Sequence, residues 1–101
     1  MTGVIYNAII AGLLPQFGVV NHKSNSDYCK AFGSHLRKLR LEKGFGMREF
    51  AIHADMEYSQ LSKIERGVTN PTLSTIIALA ESLNLNHSEL FDFKYPSKSK
   101  K

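Results

Sequence analysis

The alternation of apolar and polar positions divides most of this chain into short helices. Phe32, Leu36 and Leu39 recur at i, i+4 and i+7, the spacing of one buried helical stripe. Ser26 or Asp27 suits the N-cap of this first helix, which is predicted to run to about Lys43. Gly44 can then take the left-handed conformation that ends a helix, and Phe45 follows as a core anchor. Met47–Ala54 makes a second helix, with Phe50, Ala51 and Ala54 on one side and Arg48, Glu49 and His53 on others. Asp55-Met56-Glu57 interrupts the pattern. A third helix, Tyr58–Arg66, has only Leu61 and Ile64 facing inward. So thin a stripe places it at the edge of a core, with Tyr58, Ser59, Gln60, Ser62 and Lys63 offered to a partner. Val68-Thr69-Asn70 reads as a loop, and Pro71-Thr72 opens a fourth helix. In it Leu73, Ile76, Ile77, Ala80 and Leu83 are predicted to close the core. Asn84 and Asn86 mark its exit, and Ser88–Phe91 forms a short fifth helix packing through Leu90 and Phe91.

An exposed helix of this width fits the major groove of B-DNA, where amide, hydroxyl and ammonium groups can read base edges or grip phosphates. Here the residues carry a resemblance. LRKLRLEKG (Leu36–Gly44), REFA followed by Ala54, YSQLSKIERGVTNPTLSTI (Tyr58–Ile76) and ALAESLNLNHSELF (Ala78–Phe91) occur in order from about Phe32 to Phe91. This run resembles the helix-turn-helix domain of the lambda-repressor/Cro type, the XRE family of bacterial regulators. The resemblance implies an all-α, five-helix DNA-binding domain, assigned to residues 27–93, and residues 1–26 before it read as an apolar N-terminal extension and linker. A basic tail, residues 94–101, follows it and is expected to be disordered.

The same resemblance assigns roles. Tyr58, Ser59 and Lys63 match positions that read bases, with Gln60 and Ser62 beside them. Lys63 suits guanine O6 and N7 or a phosphate, and Ser59 is short enough for either task. Arg66, Val68 and Asn70 fall in the loop that approaches phosphates, although Asn70 suits a turn bonded to itself equally well. Arg40 and Glu65 match a buried salt bridge in relatives, a structural tie between the first helix and the recognition helix. One departure stands out. Met47, preceded by Gly46, occupies the place where the family generally has a phosphate-binding glutamine. A thioether cannot donate a hydrogen bond, so phosphate binding is left to the backbone amide at Met47 with Arg48 nearby.

Composition adjusts this picture modestly. The 101 residues carry a net charge of +4 and a pI near 9.3, which permits attraction to nucleic acid without demonstrating it. Cys29 is the single cysteine, which excludes an internal disulfide and a thiolate zinc cluster and suits a reducing cytoplasm. Residues 1–21 contain no charged side chain. Asn7, Pro15 and Gln16 break this apolar run below the ~20 residues a spanning helix needs, and no basic region precedes it as in a secretory signal. A helix over about Val4–Leu14, stopped at Pro15, is the expected form, its apolar face hidden on the domain or on a second subunit. Membrane association and a leader foreign to the fold are the other readings. Leu41 and Ile52 lie outside the inward stripes and are two surplus apolar groups that this segment could cover. Residues 21–27 (NHKSNSD) read as a linker.

Catalysis has little support. His22, His35, His53 and His87 lack HExxH-type spacing, and Cys29 has no motif-linked histidine. Capping explains Asp55 and Glu57 better than acid–base chemistry. No glycine-rich phosphate loop or cofactor site is recognised. Two non-enzymatic readings stand: a homodimeric regulator on a palindromic operator, or an antitoxin-like module whose residues 1–20 hold a protein partner, its DNA binding autoregulatory. Nothing outside the helix-turn-helix is long enough for a ligand-sensing domain. Control is therefore expected to rest on protein concentration, as for small repressors or restriction–modification controllers.

Overall fold

The computed structural model describes residues 22–95, which form four α-helices and a closing 3-10 turn and include no strand. The helices are α1 (His22–Glu42), α2 (Met47–His53), α3 (Tyr58–Arg66) and α4 (Leu73–Leu83), and the turn spans His87–Phe91. The segment expected as a fifth α-helix has only these five residues. So short a run favours the tighter ladder of the 3-10 form. Residues 1–21, with the helix expected at Val4–Leu14 and its cover of Leu41 and Ile52, lie outside the described residues, as do residues 96–101 of the basic tail.

One boundary differs from the sequence reading. α1 begins at His22, so the segment read as a linker is the helix's first turns and neither Ser26 nor Asp27 caps it. Two effects favour this. No glycine or proline interrupts His22–Ala31, and once a helix is nucleated each added residue gains a hydrogen bond. Tyr28 also packs its ring against Phe93 and Tyr95, with centroids 5.1 and 4.7 Å apart, which anchors the front of α1 to the end of the chain. At the other end Gly44 adopts φ +84°, and its amide bonds the Leu41 carbonyl at 2.9 Å, stopping the helix as its position predicts.

The core forms where the inward faces of all four helices and the 3-10 turn meet. Leu36, Phe50, Leu61, Ile64, Leu79, Leu83 and Leu90 are its fully buried large side chains. Each contributes roughly 1.5–3 kcal/mol by leaving water. The face of α4 differs from expectation. Ile76, Ala80 and Leu83 are buried as predicted, joined by Leu79, but Leu73 is 77% and Ile77 41% exposed. Leu73, Ile76, Ile77, Leu79 and Leu83 form one broad apolar arc of nearly half the helix. Periodicity alone therefore cannot choose the buried side, and packing against α1 and the 3-10 turn selects the Ile76–Leu83 side. Phe91 is likewise only partly covered, its ring 5.2 Å from that of Phe32. α4 opens with Thr72, whose Oγ accepts a hydrogen bond from the Thr75 amide at 3.2 Å. It ends at Asn84 in the left-handed conformation, φ +59°.

Candidate nucleic-acid interface

α2 and α3 are joined by Ala54–Glu57, a turn in which Asp55 takes φ +55°. Aspartate tolerates this left-handed geometry better than most residues because its short carboxylate can bond locally. The turn brings α3 across the end of α2, and α3 packs most extensively on α1. Two glycines allow that approach. A side chain at Gly33 would collide with the backbone carbonyls of Ile64 and Glu65. One at Gly67, which caps α3 at φ +73°, would strike the backbone of Lys30. Gly33 is a determinant that the motif reading passes over; the available signal is a glycine placed inside an otherwise continuous helical pattern.

A buried ion pair fixes the rotation of α3. Arg40 Nε donates to Glu65 Oε2 at 2.7 Å and Nη2 to Oε1 at 2.9 Å, while Nη1 donates to the Phe45 carbonyl at 2.8 Å. The hydrogen bond to Glu65 raises the Arg40 pKa above its ordinary value. The charge of Glu65 and the nearby Tyr58 phenol add to this, outweighing the opposing effect of burial. Among the described residues no buried side-chain polar atom lacks a partner. The pair thus sits where the resemblance implies, and Glu65 holds α3 with its opposite side outward.

That outward side is now defined. At ~100° per residue, burial of Leu61, Ile64 and Glu65 turns Ser59, Lys63 and Arg66 directly to solvent. Ser59 and Lys63, one turn apart, are exposed and make no hydrogen bond to the described residues. Gln60 is exposed on one flank of this face and Tyr58, 46% exposed, on the other. Ser62 is half-buried and accepts a hydrogen bond from Arg66 Nε at 3.1 Å. Its hydroxyl therefore steadies Arg66 at the end of α3. Val68 and Asn70 are exposed in the loop that follows, beside a recess reaching Asn25, Ser26 and Cys29 on α1.

The start of α2 is arranged differently from the expected phosphate clamp. Met47 is half-buried and packs against the core. The Gly46 amide donates to the carboxylate of Glu49 at 3.1 Å, so an acidic group already occupies this helix end. Arg48 is exposed, and its guanidinium carbon lies 5.0 Å from the centre of the Tyr58 ring, over its face. Among the described residues no group of three or more His, Cys, Asp or Glu is placed to hold a metal ion, and no helix is long and apolar enough to cross a membrane.

Residues 36–90 match the helix-turn-helix family. The chain belongs to that family of transcriptional regulators. This helix-turn-helix protein is 39% identical over 64 residues to the HTH-type transcriptional regulator y4dJ of Sinorhizobium fredii, a match covering 63% of the chain and 83% of the relative. It is 32% identical over 63 residues to control protein C.BamHI of Bacillus amyloliquefaciens, covering 61% and 78% of the two. The fold matches the restriction–modification controller protein C.AhdI from Aeromonas hydrophila with a TM-score of 0.61 at 35% identity, over 62% of this chain and 91% of that one. These matches identify an all-helical, XRE-type helix-turn-helix regulator rather than an enzyme.

Proposed function

We propose that residues 27–93 read double-stranded DNA as a homodimer on a palindromic operator, with α3 in the major groove of each half-site. The observation that carries this reading is the outward side of α3. Ser59 and Lys63 stand one turn apart with free polar groups, on a helix whose rotation is fixed by Arg40 and Glu65. Such a rigid mount suits base reading, because a hydrogen bond to a base edge tolerates little angular error. Tyr58 and Gln60 extend the contact to either flank. Arg66 and Asn70 meet the phosphates bordering the groove, a role supported by the exposure of both and by the Ser62 bond that steadies Arg66. Met47 can offer a phosphate only its backbone amide.

One recognition helix covers only a half-site, so a dimer placing two of them about 34 Å apart gives useful specificity. Support for a dimer comes from the exposed apolar residues Leu73 and Ile77 of α4. The likeness to C.BamHI and C.AhdI favours a controller among the regulators of this family, acting in the cytoplasm; a restriction or modification gene beside this one is the genomic test.

Selection of bound duplexes from a randomised pool tests the function directly. The expected product is an inverted repeat with half-sites one helical turn apart. A pool that emerges without sequence preference, from folded protein, rejects the reading.

A further inference from the structure

The geometry points to Arg48 as a base-reading residue, held by Tyr58 so that its guanidinium donates to N7 and O6 of a guanine at the outer edge of the half-site. This rests on the proposed DNA reading and changes the part Arg48 plays in it, from backbone grip to specificity. Three observations combine. First, the guanidinium sits over the face of Tyr58, 5.0 Å from the ring centre, and Tyr58 is the first residue of α3. Arg48 therefore leans from α2 toward the leading end of the recognition helix, the end that approaches base edges. Second, that contact is its only one: among the described residues Arg48 forms no ion pair and no hydrogen bond. All five N–H donors remain available, in the planar fork that matches the two acceptors of guanine. Third, the start of α2 discourages a phosphate at the same place. Glu49 already brings its carboxylate to the Gly46 amide, and Met47 turns a side chain without donors into the core. A phosphate there would meet an acidic neighbour, whereas a guanine edge along the groove would not.

Tyr58 is on this account a platform. Its ring restricts the arginine to fewer rotamers through the attraction between the cation and the ring face, so less order is lost when the fork engages. Lysine at position 48 would keep the charge but lose the planar pair of donors.

The test uses the full chain and the duplex that wild-type protein selects from a randomised pool. Binding of wild type, Arg48→Ala, Arg48→Lys, Tyr58→Phe and Tyr58→Leu is measured on that duplex, on copies with each base pair replaced in turn, and on random duplex, at several salt concentrations. Arg48→Ala is expected to lose about 10- to 100-fold on the selected duplex, little on random duplex, and its preference for guanine at one position per half-site. Arg48→Lys should bind random duplex as wild type does without regaining that preference. Tyr58→Phe, which keeps the ring under the guanidinium, should keep the guanine preference at that position, and Tyr58→Leu should relax it. Equal losses on every duplex, with the salt slope reduced by about one, would make Arg48 a phosphate contact and overturn the assignment. Unchanged binding by Arg48→Ala would also overturn it. A wild-type protein that enriches no sequence rejects the DNA reading itself, an outcome separate from both.

Discussion

Arg40 and Glu65 meet through two parallel hydrogen bonds of 2.7 and 2.9 Å, with both side chains almost wholly removed from water. The third bond, from Arg40 to the Phe45 carbonyl, makes the guanidinium a junction of α1, α3 and the loop before α2. Paired charges buried this deeply return little net stability, because desolvation consumes most of their attraction. Their effect is to define one rotation of α3, and with it which residues face outward.

Removing one partner should therefore be costly. Arg40→Met leaves the Glu65 carboxylate buried without compensation, an expected loss of about 3–5 kcal/mol. For a domain of this size each kcal/mol lowers the melting midpoint by roughly 4–8 °C. Lys38→Met, at an exposed position, should melt within a few degrees of the parent. The double variant Arg40→Met with Glu65→Leu should recover part of the loss, since no orphan charge remains. Thermal denaturation of the four proteins decides this, and an Arg40→Met protein that melts like the parent contradicts a buried pair.

Gly33 carries a second prediction. Its absent side chain is where α1 touches the backbone of Ile64 and Glu65, so even one added carbon pushes the helices apart. Gly33→Ala would gain helix propensity of up to about 1 kcal/mol at an exposed site. Here it should instead destabilise, by roughly 1–3 kcal/mol as other overpacked contacts do. Gly46→Ala, where nothing lies closer than 3.8 Å to the added carbon, is the control and should cost only the capping preference of glycine over alanine, under about 1 kcal/mol. A stabilised Gly33→Ala protein would show that α1 and α3 stand further apart than described.

The elements themselves were largely legible in the sequence. The thin stripe of Leu61 and Ile64 marks α3 as an edge helix, and Gly44 marks the end of α1. Arg40 and Glu65, far apart in the chain, could be paired only through the family resemblance, since no local pattern links them. The start of α1 was not legible because its serines and asparagines favour caps and turns in isolation, while Tyr28 and the aromatic rings near the chain's end supply support no window of sequence contains. α4 failed for a different reason. Its apolar arc is broader than the face the core can cover, so neighbours, not its own pattern, choose which part is buried. At the interface, Ser62 reads as a free hydroxyl until Arg66 is seen bonded to it, and no sequence pattern shows the Arg48 guanidinium lying over the Tyr58 ring.

Ser59 and Lys63 give the most direct test of the recognition face. Neither is bonded to the described residues, so alanine at either should leave helical content and melting unchanged. Affinity for the selected duplex should fall by about 1–3 kcal/mol for each, with preference relaxed at one base pair per half-site. Equal weakening on random duplex would reassign that residue to a phosphate. Circular dichroism with titrations on both duplexes separates the outcomes, and no loss at either position contradicts the proposed face.

The exposed side of α4 yields the final prediction. Leu73 and Ile77 lie one turn apart on the edge of the apolar face of α4, beside the residues that fill the core, and they are 77% and 41% exposed. Single exposed aliphatics are ordinary on a protein surface. Two on one face suit an isologous contact in which the same patch meets its copy across a two-fold axis. Leu73→Ser with Ile77→Lys should therefore abolish the dimer while the monomer keeps its fold, because neither side chain supports the core. Sedimentation should report a single chain at concentrations where the parent is dimeric. Affinity for the inverted repeat should fall toward that of an isolated half-site. A dimer that survives both substitutions places the interface elsewhere, and removing residues 1–20 then asks whether the uncharged leading segment makes it. If the double variant is instead monomeric yet binds the full repeat as tightly as the parent, dimerisation through α4 is not what brings two recognition helices to one operator.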